Sequence, residues 1–101
     1  MNTQGEGGSM ITIETTGAGI YLVTVRARRT TRHTVTLTPE YHRQLTGGKA
    51  SPETLLEESF RFLLEREPNT SILERFDLPL IGRYFPEYEE AISRRVGRAE
   101  T

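Results

Sequence analysis

The chain has 101 residues, 35% hydrophobic and 27% charged, which suits one globular domain near the lower size limit for a self-sufficient core. A formal net charge of −1 excludes a generally basic, polyanion-coating protein, so any cationic surface must be local. Cysteine is absent, which removes disulfides, thiol catalysis and thiolate metal sites, and no apolar run approaches membrane-spanning length.

Met1 to Ser9, "MNTQGEGGS", is Gly-rich and polar without apolar periodicity, and is expected to be a disordered tail. Residues 98–101 are expected to be a second tail, leaving 10–97 as a single α+β domain. The first residues do not resemble a signal peptide, and a cytoplasmic protein is the expectation. From Ile11 the pattern has a period of two. "ITIE" places Ile11 and Ile13 on one face, and "TTGAG" (Thr15 to Gly19) forms a turn. "IYLVTVRAR" (20–28) sets Tyr21, Val23, Val25 and Ala27 on one face, with Arg26 and Arg28 on the other. After a connection near Arg29 to Thr31, "RHTVTLT" aligns Val35 and Leu37 against Arg32, Thr34 and Thr36. Short turns between alternating segments predict an antiparallel meander with one buried face and one wet face.

At Thr38 the period changes. Threonine suits a helix N-cap, Pro39 the first helical position and Glu40 the positive end of the helix dipole; Gly47-Gly48 ends this short helix. "SPETLLEESFRFLLERE" is the strongest helical segment, capped by Ser51 and stopped at Pro68. Leu55, Leu56, Phe60, Phe62 and Leu63 cover about half its circumference, an arc wide enough to meet two surfaces. One is the sheet; the other is a further helix or a second subunit. Ser71 and Glu74 form a capping box that predicts one or two helical turns over "SILERF". "DLPLIGRYF" reads as an irregular packed segment, and "PEYEEAISRRVG" as a closing helix with an apolar stripe of Tyr88, Ala91, Ile92 and Val96. The expected architecture is therefore α+β: a three-stranded antiparallel meander followed by three to four helices packed on its odd-numbered face.

Chemistry-bearing motifs are few. No nucleophile elbow or phosphate-binding glycine loop occurs, and His33 and His42 have no ligand spacing with the carboxylates. Both histidines are expected at the surface or half-buried. No enzyme activity, catalytic residue, cofactor or metal is therefore expected. Phe76, Tyr84, Phe85 and Tyr88 fall in a short span and are expected to fill the core. The feature that most resembles a site is "RARRTTRH". Alternation gathers Arg26, Arg28 and Arg32 beside Thr34 and Thr36, a cationic patch suited to phosphates or an acidic partner. Arginines on an exposed sheet face also keep it soluble and discourage edge-to-edge pairing.

Residues 34–67 resemble a ribbon-helix-helix unit, the fold of many small bacterial repressors and antitoxins. "TVTLTPEYHRQL" is similar to that family's ribbon and first helix, and "GGKASPETLLEESFRFLLERE" to its turn and second helix. The resemblance implies a dimer whose paired ribbons enter the major groove, with Thr34 and Thr36 reading bases and Arg32 nearby. The backbone at Ser51 would clamp a phosphate, and Val35, Leu37, Leu56, Phe60 and Leu63 would form the dimer core. "FLLEREPNTSIL" and "FDLPLIGRYFPEY" also resemble segments of small bacterial proteins of unknown function. The residues themselves favour a non-enzymatic binding or regulatory protein. It would act through protein contacts, self-association or the Arg/Thr face; nucleic acid is the alternative partner, and no membrane role is expected.

Overall fold

The computed structural model describes residues 10–97, so both expected tails lie outside the described residues. Strands β1 (Met10–Gly17), β2 (Ile20–Arg26) and β3 (Thr30–Thr36) form the antiparallel meander, and β4 (Arg75–Asp77) joins β3 in parallel, giving the order β1-β2-β3-β4. Helices α1 (Pro39–Thr46), α2 (Pro52–Leu64), α3 (Leu80–Tyr84) and α4 (Tyr88–Gly97) complete the α+β fold.

Register follows from alternation and from the first turn. Val23 lies opposite His33 and Tyr21 opposite Val35, so the odd residues of both strands point into the core. Gly19 takes φ +70 at the β1–β2 turn, and its carbonyl accepts the Leu37 N–H at 2.9 Å. A Cβ on Gly19 would lie 2.9 Å from the Leu37 carbonyl oxygen, so both the turn geometry and this close approach demand glycine.

The first two helices form where their caps predict. Thr38 Oγ1 accepts the Tyr41 N–H at 3.1 Å, and Gly47 closes α1 in the left-handed region. Ser51 Oγ accepts the Thr54 N–H at 3.1 Å to open α2. The wide apolar arc of α2 does meet two surfaces. Phe60 faces the sheet, with ring centroids 5.4 Å from His33 and 6.1 Å from Phe76. Phe62, on the other side, meets Tyr88 at 5.2 Å and Phe85 at 6.0 Å. The second surface is thus α4 and the segment leading into it. Burying each phenylalanine contributes roughly 1.5–3 kcal/mol, which makes α2 the centre of the core.

Several sequence expectations are corrected. The capping box of Ser71 and Glu74 does not start a helix: Asn69–Ser71 is a single 3-10 turn, and β4 follows. The backbone is drawn into the sheet, with Thr34 N–H donating to the Glu74 carbonyl at 2.7 Å and Leu78 N–H to the Thr36 carbonyl at 2.9 Å. Those ladder bonds, together with burial of Phe76, outweigh a cap worth about 1 kcal/mol. The segment expected to be irregular contains α3, whose Ile81 is buried. Strand β2 ends at Arg26 rather than 28, and Ala27 to Arg29 form the connection, closed by Ala27 N–H to the Arg29 carbonyl at 3.2 Å.

His33, expected at or near the surface, is fully buried. Its Nδ1 lies 2.7 Å from the Leu73 carbonyl and its Nε2 2.8 Å from Thr31 Oγ1. A carbonyl only accepts, so Nδ1 donates; in the neutral ring Nε2 accepts from the threonine hydroxyl. Of the four clustered aromatics, Phe76 and Tyr88 are buried and Phe85 half-buried, but Tyr84 is 65% exposed.

Candidate functional site

All the helices that pack on the sheet use its odd-numbered face, so the opposite face of the described residues is left open. Cross-strand pairing sets out that open face in rows. Arg26 stands opposite Thr30; Thr12, Thr24 and Arg32 form the next row; then come Glu14, Leu22, Thr34 and Arg75; Ile20, Thr36 and Asp77 make the last. Arg26, Arg32 and Arg75 therefore descend diagonally across β2, β3 and β4. Strand spacing of about 4.8 Å and a rise of about 3.3 Å per residue set successive arginine Cα atoms roughly 8 Å apart.

The structure brings Arg26, Arg32, Thr34 and Thr36 together as alternation predicts. Arg28 sits elsewhere: it belongs to the β2–β3 connection and lines an open groove with Arg29, Pro68, Asn69 and Thr70, at the arginine end of the hairpin. Arg75 joins the face without a signal in the local sequence, because three residues alternating exposed, buried, exposed are too short to register as a strand. Only the pairing of β4 with β3 carries it onto the face. Asp77 closes the far corner, where its carboxylate accepts a hydrogen bond from the Thr36 hydroxyl. The face thus runs from cationic at the β2–β3 turn to mixed at the Gly19 end.

Ion pairing is denser in the helical layer than on the sheet side, although Arg43 and Arg83 in that layer also lack a carboxylate partner among the described residues. In the helical layer Arg61 pairs with Glu57 at 2.7 Å, Arg66 with Glu87 at 3.2 Å, Arg94 with Glu90 at 2.6 Å and Arg95 with Glu65 at 2.9 Å. The Arg95 hydrogen bond holds the Glu65 carboxyl below its ordinary value. Arg26, Arg28, Arg29, Arg32 and Arg75 have no carboxylate partner among the described residues. Near-neutral overall charge therefore conceals a local excess of guanidinium groups on the sheet side.

One network fixes the cationic end in place. Asn69 Nδ2 donates to the Arg29 carbonyl at 2.9 Å and to Thr31 Oγ1 at 2.8 Å, and lies 3.5 Å from the Val25 carbonyl. Thr31 continues to His33, and His33 to the Leu73 carbonyl. The turn that carries Arg28 and Arg29 is thereby tied to the 3-10 turn and to the segment entering β4.

What the open face offers chemically is donation: guanidinium forks and threonine hydroxyls suited to oxyanions. Among the described residues it carries no aromatic side chain on which a base could stack. His42 lies off this face, with Nε2 directed at the Ala50 carbonyl at 2.6 Å. Burial, then the hydrogen bond to Glu89, raises the Tyr41 hydroxyl far above the ordinary phenol value; burial does the same to Tyr88. Among the described residues no group of three His, Asp or Glu side chains converges to hold a metal ion, and no helix is long and apolar enough to cross a membrane. Comparison with family models, curated proteins and solved structures finds no match for the chain.

Proposed function

We propose that this chain is a non-enzymatic binding protein whose open sheet face captures an acidic segment of a protein partner. The observation that carries the reading is the diagonal of Arg26, Arg32 and Arg75, without carboxylate partners among the described residues, on a face that no described helix covers. A protein partner is favoured over nucleic acid because net charge is −1 and the described residues of the face include no stacking aromatic, while Leu22 and Ile20 add apolar area among the donors. The ribbon reading would need a free edge on β3 for a symmetry mate. Thr34 to Thr36 pair with β2 on one edge and with β4 on the other, which supports the face over the ribbon.

The test is an NMR titration of the 15N-labelled chain with a Glu-rich peptide and, separately, with a DNA duplex. The expected result is peptide-induced shifts confined to β2, β3 and β4, weakening as salt is raised. Arg26→Glu together with Arg32→Glu should abolish them while leaving the remaining spectrum folded. Tighter binding of the duplex, or peptide shifts that survive the double reversal, would overturn the proposal.

A further inference from the structure

A second feature lies on the other side of the molecule, among α2, β4 and α3. A half-open cavity of about 410 Å³ is lined by Phe76, Phe85, Ile81 and the exposed Leu73 and Tyr84, with Glu67 and Ser71 as its polar residues. This volume falls in the range of small-ligand sites, and the mix of apolar wall with few polar groups is the usual composition of such sites. Two further facts set it apart from an ordinary surface hollow. Leu73 and Tyr84 are 48% and 65% exposed, so two of the four large exposed apolar side chains of the described chain meet at one rim. Glu67 is half-buried, and its carboxylate has no cation or hydrogen-bond donor among the described residues.

That carboxylate is conspicuous in a helical layer whose other acids are largely engaged. Glu57, Glu58, Glu65, Glu87 and Glu90 all lie against arginines. Arg66, next to Glu67 in sequence, is already held by Glu65 and Glu87 and stacks over Phe62 with its guanidinium carbon 3.6 Å from the ring centroid. Arg28 and Arg29 share the neighbouring groove with Glu67 but form no ion pair with it. A half-buried anion at an apolar wall loses hydration that a bound cation would replace, and aromatic rings add attraction for an ammonium group.

We propose that this cavity is a binding site for a small amphipathic amine, an aryl- or alkylammonium compound. Its apolar body rests between Phe76, Phe85 and Tyr84, and its ammonium group pairs with Glu67. The site is independent of the open sheet face, which lies across the sheet from it and has the opposite charge preference.

Three probes of similar size distinguish the charge requirement: phenethylamine, 2-phenylethanol and 3-phenylpropionate, each titrated into the 15N-labelled full chain. The expected result is saturable shifts at Leu73, Tyr84 and Phe85 with phenethylamine, at least fivefold weaker binding of the alcohol, and none of the carboxylate. Glu67→Gln, near-isosteric and free of any pairing to lose among the described residues, should bring the amine down to the level of the alcohol. Tyr84→Ala, at an exposed position that the core does not need, should weaken amine and alcohol alike. Equal binding of amine and alcohol, an unchanged affinity in Glu67→Gln, or no saturable shifts with phenethylamine would each overturn the proposal.

Discussion

The Tyr88 hydroxyl and Ser59 Oγ lie 2.6 Å apart in the interior, where both residues are fully buried. Ser59 already donates to the Leu55 carbonyl at 2.7 Å, so the shared proton comes from Tyr88. This polar link fastens α4 to α2 inside an otherwise apolar contact and fixes how the two helices mesh.

The direction of that hydrogen bond makes the two deletions unequal. Ser59→Ala strands a buried phenolic donor and should cost about 2–3 kcal/mol. Tyr88→Phe leaves Ser59 still bonded to Leu55 and should cost about 1 kcal/mol. Urea denaturation of both single variants and the double variant checks this, with the double less destabilised than the sum.

Asn69 anchors the turn that presents Arg28 and Arg29. Asn69→Ala removes donors from the Arg29 carbonyl and Thr31 Oγ1 and should cost roughly 2–3 kcal/mol. Asn69→Asp should fare no better, since a carboxylate would face acceptors where the amide donated. Hydrogen exchange should rise first at Ala27 to Arg29 if the network holds that turn.

Two left-handed glycines should respond differently to alanine. At Gly47 nothing lies within 4 Å of a new Cβ, so only backbone strain applies, about 1 kcal/mol. At Gly19 the Cβ also meets the Leu37 carbonyl oxygen, which is backbone and cannot swing aside. Gly19→Ala should cost at least about 2 kcal/mol, measured by denaturant midpoint at constant m-value.

The Glu65–Arg95 pair adds a small acid-side pH dependence. The folded chain holds the Glu65 carboxyl below its ordinary value of 4.5, chiefly through the Arg95 hydrogen bond. Its contribution is therefore complete above that value and is lost as pH falls through the lower folded value. With Glu65 half-exposed, the effect should stay under about 1 kcal/mol. Arg95→Met should reduce but not abolish this part of the stability–pH profile, because Arg66 still lies 3.2 Å from the Glu65 carboxylate.

The sequence by itself determined the meander, the capped helices α1 and α2, and the inward face of each. Those features rest on local rules: alternation, side-chain caps, and proline or glycine at positions that need them. It also placed Arg26, Arg32, Thr34 and Thr36 on one face, because a period of two permits little else. Tertiary structure alone decided that 75–77 would be a strand instead of the helix signalled by Ser71 and Glu74. A parallel partner 41 residues away in β3 leaves no trace in local periodicity, yet it supplies backbone hydrogen bonds that a cap cannot match. The same pairing placed Arg75 beside Thr34. Alternation alone turns His33 inward beside Val35; what the tertiary structure adds is the Leu73 carbonyl that accepts from its ring, and it brings Leu73 and Tyr84 to the rim of one cavity with Glu67.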